Sequence, residues 1–267
     1  MNRMSPLAPT DRNDPPPARA GDLWFSAFGG RYSGPEPDWY DRDDFAWVEE
    51  LENNWEVMRD ELLALVNRDA KRLGVYYNHA MVFPPKAWRT MGLLFWTWRV
   101  HDNIRACPRT IEVLSRLPDV TSASLSALGP GSNINPHQGD TNAVIRIHLP
   151  LIVPAGLPEC GFQVGNEARP WVEGQAMLFL DAKTHFAWNR SQGTRYVMIL
   201  DVFRPEFSDR KAYVCANVLA SITMQGFYQR FPALNRANGT LRLTLHAAAR
   251  TAIRVILPLQ RRLIGRS

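Results

Sequence analysis

The apolar positions of this chain change period twice. From Asp44 to about Asn67, Trp47, Leu51, Trp55, Met58, Leu62 and Leu65 recur at spacings of three and four. That spacing predicts one amphipathic helix, with Asp43 or Asp44 as its N-cap. Residues 74–103 hold Tyr76, Tyr77, Phe83, Trp88, Phe95, Trp96 and Trp98 in no helical period and read as short strands or loops, with Pro84-Pro85 barring a helix. Pro108 to Leu117 predicts a second, short helix. From Val120 to Phe203 the apolar runs VIRIHLPLIV, AMLFLDA and RYVMILDVF alternate with turn-forming ALGPGSN, PHQGDTN, VPAGLPECG and NRSQGT. Many short strands with Gly/Pro punctuation predict an all-β sandwich or barrel. Beyond Pro205 the helical period returns over Tyr213–Phe231 and Leu241–Leu257, with Pro232 and Pro258 expected as breaks.

These shifts divide the 267 residues into four parts. Residues 1–20, rich in Pro and polar residues, are expected to be a disordered arm. Residues 21–118 are a helical and loop support region, 119–207 the β core, and 208–267 a helical extension. No stretch has 18 apolar residues in a row, and the N-terminus lacks the apolar region of a secretory signal, so neither a membrane span nor secretion is expected. Cys107, Cys160 and Cys215 lie far apart, which fits a reducing, cytoplasmic compartment. No P-loop and no G-x-G-x-x-G follows a strand, so the common nucleotide folds are not supported.

The net charge of +5 is unevenly spread. Arg210 to Ser267 holds ten Lys/Arg and no Asp/Glu, leaving 21 basic and 26 acidic residues in positions 1–209. Two readings stand: a solvated helical face packed on an acidic body, or peripheral contact of residues 210–267 with an anionic membrane. The tail has few interleaved aromatics, so no nucleic-acid partner is expected.

Candidate chemistry centres on the β region. His137 follows a Gly/Pro turn at a strand end, and His185 follows the strand AMLFLDA. Two histidines at separate strand ends of one barrel can converge on a metal, or can be ordinary core residues. In VIRIHL, period two places Arg146 and His148 on one face and Ile145, Ile147 and Leu149 on the other. A buried Arg needs an anion. For Arg146 that anion is Asp140, Asp181 or Asp201, or the carboxylate of a ligand. Arg195 opens another apolar strand, and its fork suits a carboxylate too.

The segment SALGPGSNINPHQGDTNAVIRIHLPL resembles the core of the aspartyl/asparaginyl β-hydroxylase family, as do RPWVEGQAMLFLDAKTHFAWN and TRYVMILDVFRP. H-x-G, R-x-H-L, W-x-x-G, D-x-x-x-H-x-x-W and an Arg ten residues after the second His all stand at matching spacing. The resemblance implies a mainly β, double-stranded β-helix (jelly-roll, cupin-like) core with flanking N- and C-terminal helices. It implies an Fe(II)- and 2-oxoglutarate-dependent dioxygenase that uses O2 to hydroxylate an unactivated C–H. His137 and His185 would ligate the iron. Arg195, assisted by Ser126, would bind the distal carboxylate of 2-oxoglutarate, and Arg146 and His148 the carboxylate nearest the metal. Trp171 and Gly174 would shape a turn, and Trp188 would pack below the second ligand.

Most such oxygenases carry H-x-D/E, but here Gly139 stands at the carboxylate position. The resembling family shares this gap, which water can fill; chloride occupies it in the iron halogenases, an alternative chemistry. Asp140 points to the other face of the strand and reads as a group behind the ligands. The expected substrate is a small molecule, peptide or acyl chain: first an Asp/Asn side chain or amino-acid derivative, alternatively a fatty acyl chain at a membrane surface. A non-catalytic binding module is the reading from another class.

Overall fold

The computed structural model of the chain describes residues 21–231 and 238–263. The arm expected over residues 1–20 lies outside them, as does Pro232. Thirteen strands are present among the described residues: β1 (Trp39–Tyr40), β2 (Gly74–Val75), β3 (Val82–Phe83), β4 (Trp88–Phe95), β5 (Trp98–Arg99), β6 (Val120–Leu128), β7 (Ser132–His137), β8 (Val144–Ile152), β9 (Cys160–Val164), β10 (Glu167–Arg169), β11 (Met177–Leu180), β12 (His185–Asn189) and β13 (Arg195–Phe203). They form two antiparallel sheets. The larger has the order β1-β11-β8-β13-β6-β4-β2, with β5 on β4, and the smaller has the order β10-β9-β12-β7-β3.

From β6 to β13 the chain passes back and forth between the sheets. β6, β8, β11 and β13 lie in the larger sheet, and β7, β9, β10 and β12 in the smaller. This winding is the double-stranded β-helix, or jelly roll. β4 extends the larger sheet beyond that core, although its sequence lies in the region read as support. It pairs with β6, aligning Thr90 with Ser126.

Both faces of the larger sheet are covered, which explains the near-continuous apolar runs of β8 and β13. Ile145, Ile147 and Leu149 of β8 face outward and join one core cluster with Leu51, Met58 and Leu62. Those last three come from α2 (Val48–Asn53) and α3 (Trp55–Arg68), and α5 (Pro108–Ser115) adds Val113 and Leu114. The inner faces of the two sheets form a second cluster that includes Leu128, Ile134, Phe162, Phe179 and Val197.

The helix expected from Asp44 to Asn67 is two helices. Asn54 breaks it by turning its side-chain amide back onto the Glu50 carbonyl, 2.8 Å away. The apolar stripe carries across the break. Asp41, rather than Asp43 or Asp44, caps the turn that leads in, accepting from the Asp43 amide at 3.0 Å.

After β13 come α6 (Lys211–Arg230) and α7 (Gly239–Leu263), with short α1 (Ser26–Gly29) and α4 (His101–Ala106) elsewhere. α7 runs through Pro258, expected as its end. Pro258 is exposed, so its ring meets solvent and the carbonyl that it cannot reach is left to water. No disulfide joins the three cysteines, all buried. No helix among the described residues is long and apolar enough to cross a membrane.

Candidate active site

His137 ends β7 and His185 opens β12, and antiparallel pairing sets them directly opposite. Their ring centroids are 4.2 Å apart. Each ring is oriented in the same way: His137 Nδ1 lies 2.8 Å from the Asn135 carbonyl, and His185 Nδ1 2.8 Å from the Lys183 carbonyl. A carbonyl only accepts, so each Nδ1 carries the hydrogen and each Nε2 keeps its lone pair. Burial pushes the His137 pKa down to about 4 and that of His185 well below its usual value. Both are neutral imidazoles at pH 7, the form that ligates a metal.

Arg195 opens β13 at the floor of the same cavity, which Ser126, His148, Phe162 and Ile199 also line. It is 1% exposed. Its Nε and Nη1 have no hydrogen-bond partner, and its guanidinium lies 4.4 Å from the centre of the Trp171 ring. Burial lowers its pKa to about 10. Ser126 Oγ accepts from Trp88 Nε1 at 3.0 Å, which leaves its own O–H to donate. His148 stands among Phe162, Phe179 and Trp171. Its Nδ1 is buried without a partner, and burial holds it neutral.

Arg146 is engaged by the chain itself. It grips Asp201 in a fork, Nε to Oδ1 at 2.7 Å and Nη2 to Oδ2 at 2.9 Å, and its Nη1 lies 2.5 Å from Asp181 Oδ1. Of the partners left open for Arg146, it meets Asp181 and Asp201. The burial of Asp181 raises its pKa. The burial of Asp140 raises its pKa to about 6, opposed by the charge of Arg146.

Asp181 also accounts for Gly139. A Cβ on Gly139 would lie 1.7 Å from Asp181 Oδ2, so this carboxylate fills the space that a side chain there would need. Its Oδ1 is 3.8 Å from His185 Nε2. A carboxylate thus stands beside the histidine pair, contributed by the end of β11 rather than by β7. The sequence marked Asp181 only as an Arg partner; its place at Gly139 comes from tertiary packing, where the Gly139 amide donates to the Asp181 carbonyl at 2.8 Å. Among the described residues no group of three or more His, Cys, Asp or Glu forms a metal cluster.

Trp188 does not pack below His185. Period two along β12 turns His185, Ala187 and Asn189 inward and Phe186 and Trp188 outward. The Trp188 indole lies over Gly161 and donates to the Pro158 carbonyl at 2.9 Å. The ring under the site is Trp171.

The family model described as aspartyl/asparaginyl beta-hydroxylase matches residues 52–205, which take in every residue named at this site. The chain belongs to that family. Its similarity to named members is partial. The ornithine lipid ester-linked acyl 2-hydroxylase of Rhizobium tropici is 33% identical over 172 residues, 63% of this chain and 61% of that protein. The aspartyl/asparaginyl beta-hydroxylase of Homo sapiens is 29% identical over 170 residues, 61% of this chain and 22% of that protein. The chain therefore spans less than two thirds of the length of these relatives. A cupin 2 conserved barrel domain protein from Salinispora arenicola CNS-205 overlays 54% of this chain and 92% of its own, at 13% identity and a TM-score of 0.32. That overlay is too slight to add to the strand order.

Proposed function

We propose that this member of the aspartyl/asparaginyl β-hydroxylase family is an Fe(II)- and 2-oxoglutarate-dependent hydroxylase. The observation that carries the reading is Arg195, a buried guanidinium with two unpartnered nitrogens at the floor of a cavity that also holds two neutral histidines. Such a cation is costly unless an anion joins it. The distal carboxylate of 2-oxoglutarate has the matching fork, with the Ser126 hydroxyl as a further donor. The donor set fits the metal as well: two Nε2 lone pairs fixed by backbone carbonyls, and the unpartnered Nδ1 of His148 for the nearer carboxylate.

Iron, 2-oxoglutarate and O2 would supply the oxidising power that places a hydroxyl on an unactivated C–H. The chain supplies position and charge. His137 and His185 would hold the metal, and the Asp181 carboxyl stands beside them, 3.8 Å from His185 Nε2. Arg146 keeps Asp181 and Asp201 apart and partly neutralised. Phe162, Phe179 and Trp171 exclude water from the inner wall. The Asp181 carboxyl fills the space at Gly139, which disfavours the chloride chemistry of a halogenase because little room is left there for a chloride ion.

Two substrate classes remain, an Asp/Asn side chain and an acyl chain. The state of Arg146 favours the acyl chain. All three of its guanidinium nitrogens already meet Asp181 or Asp201, so it offers no free charge to a substrate carboxylate. The similarity to the lipid acyl hydroxylase points the same way. The test of the class is anaerobic titration of Fe(II) and 2-oxoglutarate, watched for the visible charge-transfer band. A band in wild type that is lost in His185→Ala and Arg195→Ala is expected; its absence from folded wild type would sink the reading and leave a binding module.

A further inference from the structure

The hydroxylase reading leaves the acid-free C-terminal segment without a role. α6 buries Val214, Val218 and Leu219 against Trp96, Phe203 and Phe207. α7 lies over it and buries only a narrow edge, chiefly His246 and Leu257. The opposite face of α7 has no cover among the described residues. There Leu241, Leu245, Ala248, Ala252, Val255 and Leu259 recur at spacings of four, three, four, three and four, one stripe on a helix. Leu241 is 44% exposed, Val255 62% and Leu259 48%, with Ile256 at 46% beside them.

Arginines accompany the stripe, Arg242 at its edge and Arg250 and Arg254 farther round the helix. Arg242 and Arg254 are exposed. The Arg242 guanidinium lies 5.4 Å from the Tyr228 ring centre, and that of Arg250 5.4 Å from Tyr213. The charges thus lie sideways along α6 while the aliphatic stripe points out. At the far end Gln260 donates to the Arg99 carbonyl at 2.8 Å and holds the turn with Phe95 and Trp98, each 40% exposed, beside α7.

We propose that the α6–α7 hairpin is a docking surface for an anionic lipid bilayer. An outward aliphatic stripe, flanking arginines and aromatic anchors at one end are what a helix lying in the bilayer interface requires. The sign of the charge decides between occupants. A second copy of this chain would set the same arginines against one another, with no acidic residue in the segment to relieve them, whereas anionic headgroups complement them. The hairpin also packs on Ala143 and Val144, just after His137 in the chain, and on Phe203. Docking therefore sets the bilayer on the side of the barrel where β8 begins and β13 ends. The proposal does not depend on the iron reading.

The test is flotation of the full chain with vesicles of phosphatidylcholine alone, or with roughly a third phosphatidylglycerol. Wild type is expected to float with the anionic vesicles, less so as salt rises, and to stay behind with the neutral ones. Leu241→Glu/Val255→Glu/Leu259→Glu and Arg242→Gln/Arg254→Gln are each expected to lower binding at least about tenfold. All five positions are exposed, so unchanged circular dichroism and melting show that the variants are folded. Wild type that ignores anionic vesicles overturns the proposal, as does undiminished binding by folded variants. A wild-type dimer that the stripe variant turns into monomer, with no vesicle binding, overturns it in favour of a second copy.

Discussion

A side chain kept for folding and one kept for a ligand differ in how well they are satisfied before the ligand arrives. Arg146 has two carboxylates of its own, and Arg195 has none. Arg195→Met keeps most of the packing and removes the uncompensated charge. The ligand-free variant is therefore expected to melt no lower than wild type, and up to about 2 kcal/mol more stably. Its affinity for 2-oxoglutarate is expected to fall about a hundredfold, from the loss of a charged fork. Calorimetry of both properties checks this. A loss of more than about 2 kcal/mol in the ligand-free protein would make Arg195 structural.

The histidines give a second prediction at this scale. His137 has a pKa of about 4 in the fold against an ordinary 6.5, and burial lowers His148 and His185 as well. The unfolded chain thus takes up protons below pH 6.5 that the fold refuses. Their contribution is fully present above pH 6.5 and falls away below it, for His137 as pH approaches 4. For His137 alone the loss at pH 5.5 is about 1 kcal/mol. Urea midpoints of the metal-free protein at pH 7.5 and 5.5 should differ by more in wild type than in His137→Gln. Equal shifts would mean that His137 titrates normally.

Antiparallel pairing of β7 with β12 brings together two histidines 48 residues apart, and the end of β11 delivers Asp181 to Gly139. Gly139→Asp, which restores H-x-D, is therefore expected to fail, because the new side chain meets Asp181. Iron affinity should drop more than about tenfold as His185 is displaced. Adding Asp181→Gly empties that space and should recover iron binding, as read by Fe(II) titration. A single variant that binds iron normally would show that the Asp181 carboxylate moves freely aside. How the sequence foretold these elements follows from the range of the forces involved. β8, β11 and β13 were legible because a strand buried on both faces must be apolar throughout. His137, His185 and Arg195 were legible because they interrupt such texture at strand ends. The Asn54 break, the continuation past Pro258 and the full length of β4 were not. The first two turn on one local bond or on which side of a helix meets solvent, and the third on pairing with β6. The place of Asp181 depends on two segments meeting, which no local pattern carries.

At the scale of the whole molecule three layers lie in series: helices α2, α3 and α5, the two sheets around the site, and the hairpin across one end. The hairpin is not uniform. α6 closes a hydrophobic cluster with Trp96, Val144, Phe203 and Phe207, while α7 adds mainly Leu257 and half-buried Ile253 to it. Ending the chain after Arg210 would open that cluster to water. The loss of several large side chains from a core, at about 2–3 kcal/mol each, exceeds what a domain of marginal stability tolerates. That truncation is expected to aggregate. Ending it after Arg230 leaves α6 in place and uncovers chiefly the Ser221 hydroxyl, which His246 meets at 3.0 Å, and a few apolar contacts. This shorter loss should lower the melting temperature by several degrees yet leave a soluble barrel that still binds Fe(II). If both truncations aggregate alike, α7 is as much a part of the core as α6, and its outward stripe must be weighed as the far side of a structural helix; if only the first does, α6 belongs to the barrel and α7 is held mainly for the face that it turns outward.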